Sequence, residues 1–183
     1  MREGEIEVEM RDAALRQAKE AFATGKEDIF AAIEVIHDVL QYAIKESPIA
    51  LAKDEIFRRG EPYILDALEG AGKKVPLKKY LAFGLDRISY GDEMITLCGF
   101  LENKYYANAY VGKDAYICFL YLIGIIGISQ GQSWEDILVH FKTIIPDEYE
   151  EAYDEFIKKW ERRIDKEKAK SAYRVVSFDR EKQ

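Results

Sequence analysis

The stretch AYICFLYLIGIIGI, residues 115–128, decides the fold that we expect of this chain. A helix with this sequence is apolar on every side, so other helices must surround it in the folded protein. It has 14 residues, whereas a membrane-spanning helix needs about 20. Lys113 and Asp114 close one end of it. We therefore predict no membrane span, and instead a buried central helix at about residues 114–130.

Two glycines indicate how this helix packs. Gly124 and Gly127 lie close together on its surface, where the missing side chains let a neighbouring backbone approach. The same apolar surface is also compatible with a helix that lines an apolar ligand pocket. Packing in the core is the interpretation that we favour.

The sequence pattern of the rest of the chain also predicts helices. Apolar residues recur at intervals of three and four, which is the pattern of amphipathic helices. Caps, prolines and glycines place the other helices at residues 10–23, 26–46, 48–59, 62–69, 76–89 and 92–110, with two more that begin near residues 133 and 146. The predicted fold class is all-α, with a bundle-like arrangement of helices around the central one.

The two ends of the chain follow a different pattern. Residues 5–9 and 173–178 alternate between polar and apolar side chains, which predicts short strands or disordered ends. A length of 183 residues is enough for one sizeable core. We expect a single helical domain over residues 1–183, with tails at residues 1–9 and 171–183.

The charge of the chain is acidic but unevenly distributed. The 27 basic and 34 acidic residues give a net charge of −7, which does not favour a general phosphate-binding surface. Residues 158–183, however, hold ten Lys and Arg against five acids. This basic helix is an alternative site for nucleic acid or an acidic partner, through Lys158, Lys159, Arg162, Arg163, Lys166, Lys168 and Lys170.

The N-terminus and the cysteines bear on location. Residues 1–10 lack the apolar core of a signal peptide, so we expect a cytoplasmic protein. Cys98 and Cys118 lie among apolar neighbours and provide too few thiols for a metal framework. Whether they form a disulfide is open. Few Asn and Gln beside abundant Lys and Glu are typical of thermophile proteins.

The two histidines suggest a possible metal site. Glu34 and His37 stand three apart on one helix, as do the ligands in half-sites of di-metal bundles. Asp136 and His140, four apart, offer a comparable pair on a later helix. On helical wheels both histidines fall at the border of the apolar face. We therefore favour the interpretation that they are partly buried side chains without a metal. Metal or cofactor binding by these four residues is the alternative.

Motifs of catalysis are incomplete. The chain contains no GxSxG, P-loop or GxGxxG sequence. His37 and Asp38 resemble the metal-binding dipeptide of the HD-type phosphohydrolases, but no histidine precedes them to complete that family's ligand set. We therefore expect a helical interaction or assembly protein without catalytic activity or a cofactor. Its partner is another protein or a second copy, bound through C-terminal or tyrosine-rich surfaces such as Tyr105, Tyr106 and Tyr110.

Overall fold

The fold is all-α, as the sequence predicts. The computed structural model describes the backbone of residues 3–58, 60 and 62–180, and the side chains of residues 10–58, 60 and 62–166. Over this backbone the chain forms seven α-helices and no strand. The helices are α1 (Glu3–Glu46), α2 (Ile64–Gly70), α3 (Lys78–Ser89), α4 (Met94–Asn108), α5 (Gly112–Ser129), α6 (Trp134–Lys142) and α7 (Glu150–Arg180).

The contacts divide the chain into two compact units, residues 1–144 and residues 145–183. The first unit contains α1 to α6, and the second contains α7. The organisation as one domain with a tail at each end stays a prediction.

Helix α5 is the core of the first unit. Twelve of its residues are buried, and α1, α3, α4 and α6 all pack against it. The central helix predicted at residues 114–130 is therefore confirmed. Among the described residues, α5 is also the one helix that is long and apolar enough to cross a membrane, and 67% of it is buried inside the protein. A core helix meets the same criteria of length and composition.

The glycines of α5 mark where its neighbours come closest. A Cβ atom on Gly124 would lie 2.6 Å from Cδ1 of Ile36 on α1. A Cβ atom on Gly127 would lie 2.6 Å from Cγ1 of Ile137 on α6. Both spacings are shorter than real Cβ contacts, so a side chain does not fit without a shift of its neighbour. The atoms that fill the space are isoleucine side chains and not the neighbouring backbone that the sequence predicts.

Helix α1 bends at Gly25. The sequence predicts separate helices at residues 10–23 and 26–46, but the chain leaves helical geometry at Gly25 alone (φ −146°, ψ 26°). The hydroxyl of Thr24 donates to the carbonyl oxygen of Glu20 at 2.9 Å and so stays bonded within the preceding turn. The predicted break is therefore a kink of one residue.

The helix predicted at residues 48–59 is wrong. The chain forms two 3-10 turns there, Pro48–Leu51 and Glu55–Phe57. The carboxylate of Asp54 accepts a hydrogen bond from the backbone N–H of Ile56 at 3.1 Å and starts the second turn. This local capping competes with a continuous helix.

The strands predicted at residues 5–9 and 173–178 are also wrong. The backbone of both segments is helical, the first within α1 and the second within α7. Alternation over five or six residues is a short signal, and each segment continues a long amphipathic helix. The three glutamates of residues 5–9 are moreover good helix formers.

Candidate functional site: an apolar groove along the central helix

A groove of about 870 Å³ runs along one side of α5. Its floor consists of Phe119, Leu122, Ile123 and Ile126, which recur at three, four and seven and so form one stripe of the helix. Ile123 and Ile126 are half-buried, whereas their neighbours in the sequence are buried. The floor of the groove is thus a strip of the core helix that the described helices do not fully cover.

Two helices form the walls of the groove. One wall is α4, through residues that include Met94, Ile95, Cys98, Gly99 and Glu102. The other wall is α6 and the residues after it, through His140, Thr143 and Ile144. Arg11 and Leu15 of α1, and Gln130 and Gln132 after the end of α5, also line the groove.

The direction of the wall helices follows from their contacts with α5. Only three residues separate α4 from α5, so the two helices run antiparallel. Accordingly, Met94 at the start of α4 contacts Gln130 after the end of α5, with 2.8 Å between Sδ and Nε2. Glu102, two turns further along α4, therefore lies toward the Phe119 end of the groove.

Helix α6 is antiparallel to α5 as well. Its first half contains Ile137, which packs on Gly127 near the end of α5. The hydroxyl of Tyr116, near the start of α5, donates to the carbonyl oxygen of Ile144 at 2.8 Å. The groove therefore has helical walls on both sides and a helical floor.

The rim of the groove exposes large apolar side chains. Met94 is 45% exposed and Ile95 is 62% exposed, both on the first turn of α4. Together with Ile123 and Ile126 they form an apolar strip that begins in the floor and reaches the surface. Covering such a strip is favourable by roughly 25 cal/mol for each Å² removed from water.

The lining also contains charged and polar groups. Glu102 is only 5% exposed, whereas Arg11 and His140 are exposed. No motif in the sequence distinguishes Glu102 as a site residue. The available signal was its position directly after Leu101 on α4, which places its side chain beside the buried face of the helix.

The first predicted histidine pair lies away from this groove. His37 is 8% exposed, and its ring packs edge-on against the ring of Trp134 with centroids 5.0 Å apart. Its Nδ1 atom lies 3.6 Å from a carboxylate oxygen of Asp38. Glu34 is half-buried one turn earlier on α1.

The second pair is divided between two roles. The carboxylate of Asp136 accepts hydrogen bonds from Ser133, from its N–H at 3.3 Å and its hydroxyl at 2.8 Å, and so caps α6. His140, one turn later, lines the groove. Among the described side chains, no group of three or more His, Cys, Asp or Glu is placed to hold a metal ion. The alternative of a metal site at Glu34, His37, Asp136 and His140 stays a prediction.

The basic helix belongs to the second unit. The side chains of Lys158, Lys159, Arg162, Arg163 and Lys166 are exposed on α7. Lys168 and Lys170 lie outside the side chains that the structure describes. Binding of nucleic acid by this helix stays a prediction.

Both cysteines are free thiols. Cys118 is buried in α5, and burial raises the pKa of its thiol well above the usual value of 9.0, which makes it unreactive. Cys98 is half-buried and lines the groove. The two cysteines therefore occupy different environments.

The tyrosines at the end of α4 form an aromatic cluster. The ring of Tyr105 lies 5.2 Å from that of Tyr106 and 6.2 Å from that of Tyr110. Tyr105 is buried and Tyr106 is 45% exposed. The cluster thus combines core packing with one exposed ring.

Comparisons of the chain with family models, curated proteins and solved structures give no match.

Proposed function

We propose that the chain is a non-catalytic helical interaction protein whose groove receives an amphipathic helix of a partner protein. The observation that carries this proposal is the groove between two helical walls, whose floor of Phe119, Leu122, Ile123 and Ile126 is half-buried at Ile123 and Ile126. In groove recognition of this kind, a partner helix inserts apolar residues at positions i, i+3, i+4 and i+7.

The dimensions of the stripe fit such a partner. From Phe119 to Ile126 the floor extends over seven residues, or about 10.5 Å at the helical rise of 1.5 Å per residue. Anchors at i and i+7 of a partner helix span the same length. A partner helix of three to four turns is therefore long enough to cover the stripe.

The rim contributes to the binding energy. Met94 and Ile95 are large apolar side chains that the partner would remove from water. Complete burial of such a side chain is worth about 1.5–3 kcal/mol, of which the already buried part must be discounted. Because association also costs translational freedom and side-chain entropy, we expect micromolar affinity.

A labelled probe helix tests the proposal. The probe is a 16-residue amphipathic peptide with leucines at i, i+3, i+4 and i+7, and its binding is measured by fluorescence anisotropy. Ile95→Glu places a charge on the rim of the groove and should weaken binding at least about tenfold, since the partner would bury that charge. Ile56→Glu is the matched control, because Ile56 is 78% exposed and does not line the groove.

Two results would count against the proposal. The probe could fail to bind the wild-type protein, or Ile56→Glu could weaken binding as much as Ile95→Glu does. Sedimentation of the protein alone tests whether the partner is a second copy of the chain. A dimer that Ile95→Glu dissociates would make the bound helix that of a second copy.

The volume of the groove favours a second candidate function, which is the binding of a small apolar molecule. Ligand sites of small molecules have volumes of about 300–1,000 Å³ and are lined mainly by apolar side chains with a few polar groups. The groove, at about 870 Å³, falls in this range. Solvent extraction of the purified protein followed by mass spectrometry tests this candidate, which requires one apolar molecule per chain.

A further inference from the structure

We propose that the C-terminal half of α7 binds the phosphate backbone of double-stranded nucleic acid. This inference is independent of the groove, because it concerns the second unit alone. The observation behind it is a run of exposed cations on one helix over residues 158–166. They form the basic face of α7, which consists of Lys158, Lys159, Arg162, Arg163 and Lys166.

Helical spacing places these cations on one side of α7. They form two adjacent rows in which residues recur every four positions, Lys158, Arg162 and Lys166 in one row and Lys159 and Arg163 in the other. At 1.5 Å per residue the basic face extends over about 12 Å. The acids of the same turns, Glu161 and Asp165, lie roughly 110° around the helix from its centre. Phosphates can therefore approach the cations without meeting a carboxylate of these turns.

The basic face is accessible to a large ligand. Tyr153 is 3% exposed and Trp160 is 5% exposed, and they lie on another side of α7, roughly 140° from the centre of the basic face. The buried side of the helix is thus separate from its cations. Lys159 pairs with Glu155 at 3.6 Å, but these side chains are 76% and 61% exposed. Such an exposed pair is weak, so a phosphate can replace the carboxylate at small cost.

The composition of the basic face distinguishes among anionic partners. The core of a protein interface is usually apolar, and stable attachment to a membrane takes a lipid chain or an inserted apolar face as well as basic residues. Single strands stack their bases on aromatic side chains. All residues of the basic face are charged instead. A duplex requires only cations, because it presents one phosphate charge per about 1.7 Å, and each arginine can donate two hydrogen bonds to a phosphate.

The first half of α7 limits the size of the site. Residues 147–155 contain six acids and no base, so they repel phosphates and confine the contact to residues from Lys158 onward. The net charge of −7 also opposes a polyanion. We therefore expect modest affinity, with a dissociation constant on the order of 10 µM at about 50 mM salt, and no dependence on base sequence.

Salt dependence tests the proposal. Binding of the full chain to a labelled DNA duplex of about 20 base pairs is measured by fluorescence anisotropy. With four to five phosphates neutralised, the logarithm of the association constant should fall against that of the salt concentration with a slope of about −4. Affinity should therefore fall about fifteenfold between about 50 and 100 mM salt. An RNA duplex of the same sequence should bind with a similar slope, because the contacts are to phosphates.

Two triple variants with the same net charge assign the site. The first removes one row of the basic face by Lys158→Gln, Arg162→Gln and Lys166→Gln. It should weaken binding at least about thirtyfold at low salt and reduce the steepness of the slope by about 2 to 3. The matched control removes three exposed lysines of the first unit by Lys26→Gln, Lys45→Gln and Lys53→Gln. It should change the dissociation constant less than about threefold, because distant charges are screened. Circular dichroism verifies that both variants are folded.

Several results would overturn the proposal. One is the absence of binding to either duplex at about 100 µM protein in about 50 mM salt. Another is an equal loss of binding in both triple variants, because net charge would then account for the whole effect. Tighter binding to phosphatidylserine vesicles or to polyglutamate than to the duplexes would assign the basic face to a membrane or an acidic protein instead. These results leave the helix-binding function of the groove untouched, since its probe peptide and its variants are different.

Discussion

Three tyrosines show how polar atoms are accommodated in the core. Tyr80, Tyr116 and Tyr121 have no exposed surface, and each hydroxyl donates to a backbone carbonyl oxygen. The acceptors are those of Leu101 at 3.2 Å, Ile144 at 2.8 Å and Pro76 at 2.6 Å. Burial raises the pKa of Tyr80 and Tyr121 well above 10.0, so these two phenols stay protonated donors. The three residues thus join α5 and α3 to neighbouring segments by side-chain hydrogen bonds.

Removal of one such hydroxyl should destabilise the protein. Tyr116→Phe keeps the ring but leaves the carbonyl of Ile144 without the hydrogen bond from this hydroxyl. We expect the free energy of unfolding, measured in urea, to fall by about 1–2 kcal/mol. Tyr90→Phe is the control, because Tyr90 is 59% exposed, and its effect should stay within about 0.5 kcal/mol. Equal effects of the two substitutions would contradict this role of the Tyr116 hydroxyl.

At the scale of elements, the sequence predicts which helix is central but not which side of it is open. Ile123 and Ile126 belong to the same apolar run as Leu122 and Ile125, and nothing in that run distinguishes the half-buried residues from the buried ones. Their exposure depends on where α4 and α6 lie around α5. The groove could therefore be found only in the structure.

The sequence also does not show how far along a helix its apolar face stays buried. Ile44 continues the apolar stripe of Ile29, Ile33, Ile36 and Leu40 on α1. It is 69% exposed, whereas the other four are buried. Helix α1 ends two residues later at Glu46, beyond the helices that cover the rest of the stripe. Periodicity identifies a face of a helix but not how far its neighbours extend.

The contact between α1 and α5 gives a prediction for a single methyl group. A Cβ atom on Gly124 would lie within 2.8 Å of three side-chain atoms of Ile36. Gly124→Ala should therefore lower the free energy of unfolding by about 1–3 kcal/mol, because the two helices must move apart.

Another glycine provides the matched control. Gly99 lies within α4, and apart from its chain neighbours and its own helix backbone no atom of the described residues is within 4 Å of a Cβ atom built on it. Gly99→Ala should raise the free energy of unfolding by about 0.5–1 kcal/mol through helix propensity alone. Chemical unfolding of both variants measures the difference. The same sign for both substitutions would contradict close packing at Gly124.

For the first unit as a whole, charged pairs tie together segments that are distant in sequence. Asp28 on α1 pairs with Lys74 in the loop before α3 and with Lys113 at the start of α5. Asp38, also on α1, pairs with Lys73 at 2.5 Å. Both carboxylates are largely shielded from water, and the three lysines come from two other parts of the chain.

These pairs shift the pKa of both carboxyl groups. Burial alone would raise the pKa of Asp28, but the hydrogen bonds and charges of Lys113 and Lys74 outweigh it, so the pKa lies below the usual 3.8. Burial would likewise raise the pKa of Asp38, and hydrogen bonds with His37 and Lys73 lower it further than burial raises it. The folded protein therefore binds fewer protons at these sites than the unfolded chain does.

The sign of the pH dependence follows from this difference. A carboxyl group with a lowered pKa in the folded state stabilises the fold fully above its unfolded pKa, near 4, and loses that contribution as the pH falls through the folded value. The free energy of unfolding should therefore decrease from pH 5 toward pH 3. Because the partner lysines are half-exposed or exposed, we expect Asp28 to contribute only about 1 kcal/mol to this decrease.

Substitution of Asp28 isolates its share of the acid sensitivity. Asp28→Asn should lower stability at pH 7 and reduce the slope of unfolding free energy against pH between 5 and 3, since asparagine has no proton to gain. Asp66→Asn removes an exposed carboxylate and should leave both quantities within about 0.5 kcal/mol of the wild type. Urea unfolding at a series of pH values measures the slopes. An Asp28→Asn slope equal to that of the wild type would mean that Lys74 and Lys113 do not lower the pKa of this carboxyl group in the folded protein.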